Sequence, residues 1–197
     1  MTTSHTPPPP SSSNIPCRQD VLDVTQHWFE NVVLGLNLCP FAHRPARLQR
    51  IAFVVDENTE ESALMEALIN EMEILSATPI EQQETTLLVV PYLLHDFYDY
   101  QFFLEEAQRK LKSHHWLGVF QLASFHPHYC FAGAHVDDAS NLTNRSPYPI
   151  IHILREDSLH AALEHVDKPE DIPQANIERM ENLSEEKKQQ LFFYLDQ

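Results

Sequence analysis

Residues 85–91 read TTLLVVP, and this stretch decides how the chain folds. Two β-branched threonines lead into four consecutive apolar residues, Leu87 to Val90, and a proline ends the run. The stretch is too short and too continuous for an exposed helix, so it reads as a strand inside a covered sheet. Upstream, IAFVV at 51–55 is a second strand. Between them Asn58 and Glu61 resemble a capping box that opens a helix over 59–76, with Met65, Leu68, Ile69, Met72 and Leu75 on its buried side. Downstream, Phe97, Tyr100, Phe103 or Leu104, Ala107 and Leu111 recur at helical spacing over 96–113. GVFQLAS at 118–124 and PIIHILR at 149–155 are two further strands.

The flanks are helical. Val21, Val24, Trp28 and Val32 mark a helix over 19–36, which stops at NLCP because Pro40 pushes Cys39 out of helical conformation. Three short helices over 157–166, 173–182 and 184–195 finish the chain, with Pro173 and Ser184 at helix starts. The order predicts a single α/β domain over 18–197, with a sheet of about four strands covered by helices. Strand order and the direction of the fourth strand stay open. Residues 1–17, rich in proline and serine, read as a disordered arm in which Cys17 has no role.

Composition excludes several functions. The net charge is −16, from 13 Lys and Arg against 29 Asp and Glu, which repels phosphate backbones and anionic lipid. Nucleic acid and membranes are therefore not expected partners. Arg44, Arg47 and Arg50 in HRPARLQR are the exception, a cluster able to attract a small anion. Three glycines allow neither G-x-G-x-x-G nor a P-loop, so no nucleotide-binding glycine motif is present. No apolar run approaches the ~20 residues of a membrane helix, and no secretory signal is visible, so a cytoplasmic location is expected. Three cysteines are too few and too scattered for a disulfide framework.

Chemistry-bearing residues gather in three segments: NLCPFA at 37–42, SFHPHYCFAG at 124–133 and NLTNRSPYPIIHILRE at 141–156. The loop over 125–148 is long and dense with aromatic residues, which argues for an ordered functional loop. Cys39 lies near Arg44 and Arg47, whose charge favours a thiolate, although the end of the preceding helix opposes it; His126 or His152 is the candidate base. Arg145 and Arg155 bracket the fourth strand as candidate grips on a carboxylate or phosphate, with Asn141, Asn144 and Tyr148 as neutral partners. Alternation puts Ile151, Ile153 and Arg155 on one face, and Ile150, His152 and Leu154 on the other. The plain alternatives are a buried structural cysteine, a satisfied core histidine and a salt-bridged strand end. Cys39, His126, His128 and Cys130 form a zinc-like donor set, but their spacing is not a usual one.

LCPFA, TTLLVVP, SFHPHYCFAG and NLTNRSPYPIIHILRE resemble, in that order, the hallmark segments of a bacterial family, domain of unknown function 1415. The resemblance covers about residues 20–183 and implies no activity. It matches Cys39 to Ala42 in the first segment, Ser124 to Pro127, Tyr129, Phe131 and Gly133 in the second, and Asn141, Thr143 to Pro149, His152, Arg155 and Glu156 in the third. His128 and Cys130 fall outside its pattern, which weakens the zinc set. The sequence therefore points to a pocket for a small anionic metabolite, with Cys39, His126 and His152 as chemical groups. A noncatalytic interaction module docking through the aromatic loop is the alternative, and a zinc-binding protein comes third.

Overall fold

The computed structural model describes residues 16–164 and 166–195. Along the chain run α1 (Arg18–Trp28), a π-helical continuation (Phe29–Leu34), α2 (His43–Arg47), β1 (Ile51–Val55), α3 (Glu61–Ala77), β2 (Thr85–Val89), α4 (Phe97–Ser113), β3 (Phe120–Phe125), a 3-10 turn (Ala139–Thr143), β4 (Ile150–Arg155), α5 (Glu156–Leu163), α6 (Ile172–Glu181) and α7 (Glu185–Leu191). Every residue of β2 is buried, as its apolar run requires.

The sheet order is β1-β2-β4-β3. β1 and β2 are parallel, joined by the α3 crossover, while β4 runs antiparallel to both β2 and β3. Helices cover both faces. On one face α3 and α4 pack Leu64, Leu68, Met72, Tyr100 and Leu111 against Leu88, Ile151, Ile153 and Phe120. On the other, α1, its π-helical continuation, α6 and α7 pack Trp28, Phe29, Val32, Met180 and Leu191 against Leu87, Val89 and Ile150. Strand alternation thus divides one sheet between two apolar layers. Among the described residues no helix is long and apolar enough to cross a membrane.

Four local readings change. The first fifteen residues of the expected arm lie outside the described residues, but Pro16 and Cys17 are held. The Tyr92 hydroxyl donates to the Pro16 carbonyl at 2.8 Å. Cys17 caps α1: its sulfur accepts from the Asp20 N–H, and its own N–H donates to the Asp20 carboxylate. Asn58 does not cap α3; it donates twice to Asp56 in a turn, and the helix starts at Glu61 without a side-chain cap. The first helix changes hand-hold at Phe29, where Gly35 N–H bonds back to Glu30 C=O, five residues away. At Gly35 an added Cβ would lie 2.3 Å from the Asn31 carbonyl oxygen, so only glycine fits the close of the wider turn.

Candidate functional site

Two cross-strand rows form the floor of a cavity on the α1 face. Leu87 pairs with His152, and His152 with Ala123; one step along, Ile51 pairs with Thr85, and Thr85 with Leu154. Ala123 is small, so the space above His152 stays unfilled. Trp28, Phe29 and Val33 form one wall, Cys39 to Ala42 another, and Leu159 and Ala162 of α5 close over the top. The cavity measures about 850 Å³ and its lining is mainly apolar. A wall built on a π-helical turn fits the frequent placement of such turns at functional sites. Asn176 of α6 fixes the cysteine segment by donating to the Leu38 carbonyl at 2.7 Å.

His152 is the central polar group. The Thr85 hydroxyl lies 2.6 Å from His152 Nε2 and 2.6 Å from the Ile153 carbonyl oxygen. A carbonyl only accepts, so Thr85 gives its single proton to Ile153 and takes one from His152. The ring is therefore the Nε2–H tautomer. Its Nδ1 has no partner among the described residues, and the ring lines the cavity. Burial holds His152 down at about pKa 4, so the imidazole is neutral near pH 7 with a free lone pair. Cys39 lines the same cavity, but burial pushes its thiol up, against the opposing backbone N–H groups of Phe41 and Ala42. The thiolate expected from the nearby arginines is disfavoured.

Charged groups collect at one end. Glu84 is 6% exposed, with Arg44 3.6 Å and Arg50 3.8 Å from its oxygens. Arg155 reaches across to α3, where its Nη2 donates to the carbonyls of Leu75, Thr78 and Gln83. This closes the C-terminal end of α3, whose last carbonyls carry partial negative charge. Burial lowers the Arg155 pKa, and Glu84 opposes that shift.

The other expected residues lie in the aromatic loop and hold it together. His126 is fully buried with both ring nitrogens committed: Nε2–H donates to the Leu94 carbonyl at 2.9 Å, and Nδ1 accepts the His128 N–H at 3.0 Å. Burial holds it near pKa 4, and with no free lone pair it does not serve as a base. Asn141, fully buried, accepts from Phe131 N–H and donates to the His135 and Val136 carbonyls. Asn144 donates to the Ser124 carbonyl at 3.1 Å. Arg145 donates to the carbonyls of Tyr129 and Val136, so its fork is occupied by the loop's own backbone. Tyr148 packs beside the α1 layer, and burial, with Asp20 and Tyr92 nearby, pushes it up to about 12. Neither Arg145 nor Asn144 lines the cavity. The four zinc-like donors are also not gathered: among the described residues no group of three or more His, Cys, Asp or Glu could hold a metal ion.

The model of a family described as protein of unknown function, DUF1415, matches residues 20–190. The chain belongs to that family. Comparison with curated proteins found no match, and neither did comparison with solved structures. The stretch matched by the DUF1415 model contains all four strands and every cavity residue named above. All three sequence segments reach the cavity, through Cys39 to Ala42, through Phe125, and through His152, Leu154 and Arg155. Sequence reading missed Glu84, Thr85 and Ser158. The signal for Glu84 was its place directly before a strand that reads as buried, in a chain that also carries an arginine cluster at 44–50.

Proposed function

We propose that this member of the DUF1415 family binds a small metabolite in the cavity between β2, β4 and α5, and that His152 is the group able to move a proton there. One observation carries the reading. A neutral histidine, held in a known tautomer by Thr85, turns a free Nδ1 toward a largely apolar cavity of about 850 Å³. Cavities of roughly 300–1,000 Å³ with few polar groups are the usual form of small-molecule sites. A fixed imidazole with an open lone pair is suited to accept a proton from a bound substrate. Cys39 supplies a neutral thiol to the same wall. The anion expected from the sequence draws less support, because Arg145 Nε and Nη2 and Arg155 Nη2 are already bonded to carbonyls. The excess of acidic over basic residues supports a partner other than nucleic acid.

Native mass spectrometry and thermal shift against a metabolite library test this reading. The full chain is expected to retain or be stabilised by at least one compound. Ala123→Leu and Ala162→Phe, which fill the cavity from the sheet and from α5, should each abolish that response while keeping the far-UV circular dichroism of the parent. A response unchanged in both folded variants would place the ligand elsewhere and end the proposal.

A further inference from the structure

On the floor of the cavity, only Thr85 and His152 carry polar side chains; Leu87, Ala123, Phe125 and Leu154 around them are apolar. The Thr85 hydroxyl is spent, since it gives its proton to the Ile153 carbonyl and takes the one on His152 Nε2. The floor is left with one open polar atom, His152 Nδ1. It is not one of the sealed side-chain atoms that lack a partner among the described residues, such as Thr25 Oγ1 and Tyr194 Oη. His152 keeps 9% of its surface exposed, and its ring lines the cavity. A molecule held there can reach Nδ1.

The walls offer little else. The Trp28 ring lines the cavity, but its Nε1–H donates to the Arg145 carbonyl at 3.0 Å. The Cys39 sulfur takes the backbone N–H groups of Phe41 and Ala42. The charged lining residues belong to one end, where Arg44 stands 3.6 Å from Glu84 and Arg155 Nη2 donates to the carbonyls of Thr78 and Gln83.

The tautomer sets what Nδ1 accepts. It carries a lone pair and no hydrogen, so it takes a hydrogen bond and cannot give one. A ligand carbonyl, ether or carboxylate oxygen aimed at it would set lone pair against lone pair. Burial holds the ring near pKa 4, so protonation does not reverse that polarity at neutral pH. An ammonium group has hydrogens to give, but it would lose its hydration to an apolar floor that carries no counter-charge. An uncharged O–H or N–H meets both conditions.

Granting that the cavity holds a small molecule, as proposed above, we infer that this molecule is an apolar body bearing an uncharged hydrogen-bond donor, a hydroxyl or a ring N–H, which it gives to His152 Nδ1. Alcohols, phenols and N–H heterocycles form the class. Carbonyl compounds and carboxylates with no donor are selected against. Thr85 is then a positioning residue for specificity: it never touches the ligand, but it decides which histidine nitrogen carries the proton.

Three neutral bicyclic probes of similar size test the class: indole, benzofuran and 1-indanone, titrated into the full chain labelled with ¹⁵N-histidine. Indole is expected to bind at least about tenfold more tightly than the other two, the size of one hydrogen bond to a buried acceptor. It should also shift the ¹⁵N resonance of His152 Nδ1 more than that of Nε2. His152→Leu removes the acceptor and should bring the three affinities together. The wild-type Nδ1 resonance decides the matter alone if that variant does not fold. Equal binding of all three, or tighter binding of 1-indanone, each abolished by Ala162→Phe, would overturn the donor assignment and leave the cavity reading standing. Indole binding that leaves Nδ1 unmoved would overturn it as well. Binding of none of the three would overturn the assignment; the cavity reading falls with it only if the metabolite library is also blank.

Discussion

His152 donates its Nε2 proton to Thr85, because the Thr85 hydroxyl has already given its own proton to the carbonyl of Ile153. One threonine on β2 thus fixes the tautomer of a histidine on β4, and with it which nitrogen faces the cavity.

Thr85→Val keeps the shape and removes that link. The His152 Nε2–H and the Ile153 carbonyl would then lack their partner in a buried layer, which costs about 1–3 kcal/mol. Urea unfolding of the two proteins should show that loss with an unchanged m-value. A loss below about 0.5 kcal/mol would mean that water replaces the hydroxyl.

Acid should destabilise the fold through His152. An unfolded histidine binds a proton near pH 6.5, whereas the buried ring resists until about 4. Between those values the unfolded chain holds more protons, so stability is full above the unfolded value and declines as pH falls through that window. His152→Gln retains an N–H donor toward Thr85 and does not titrate. Between pH 7 and pH 4.5, wild type should lose about 2–3 kcal/mol more than the variant in denaturant titrations. Parallel pH profiles would show a ring that is hydrated in the folded state.

Gly35→Ala should damage the cavity wall from a distance. Its Cβ would lie 2.3 Å from the Asn31 carbonyl oxygen, so the π-helical turn carrying Phe29 and Val33 must shift. A cost of about 1–3 kcal/mol is expected, typical of forced overpacking. The thermal midpoint measures it. A midpoint equal to wild type would show that the turn yields without strain.

Cys39 should react slowly. Its thiol is buried and pushed up, while Cys17 is exposed and serves as an internal reference. Iodoacetamide at pH 7.5, read by peptide mass spectrometry, should modify Cys17 well before Cys39, and the two should converge on unfolding. A Cys39 faster than Cys17 would restore an activated nucleophile.

Arg145→Ala should loosen the aromatic loop and spare the cavity. Both of its donated bonds end on carbonyls within residues 129–136. The loss of about 2 kcal/mol expected for a charged donor's bonds should speed amide exchange across residues 129–138. Cys39 labelling should stay at the wild-type rate. A faster Cys39 with an unchanged loop would make Arg145 part of the cavity.

The local pattern of the fold was readable because it depends on neighbours in sequence. The continuous apolar run of β2, the helical stripes of α3 and α4, and the alternation that puts Ile151 and His152 on opposite faces all emerge from spacing. What stayed hidden depends on distant pairings. Nothing within residues 118–124 says that Ala123 will lie beside His152, yet that register opens the cavity. Arg155 was legible as a strong donor, but its partners belong to the far end of α3. Asn141, Asn144 and Arg145 were read as ligand groups because polar side chains stood close together; the loop uses those same side chains to tie its own backbone. The wider turn at Phe29–Leu34 left no mark in the hydrophobic pattern, since Phe29, Val32 and Val33 are buried as they would be in an ordinary helix.

The strand that comes last in the chain lies in the interior of the sheet. As the chain emerges during synthesis, β1, α3 and β2 can assemble as a local unit, but β3 has no neighbour at all and β2 presents a bare apolar edge until residue 155 has appeared. Sheet closure is a single late insertion that satisfies two edges at once and completes the sheet side of both apolar layers, while the α1 face still waits for α6 and α7. Nascent chains released before that point would carry a sticky open edge, so the interval between residues 89 and 155 is where a chaperone has something to hold.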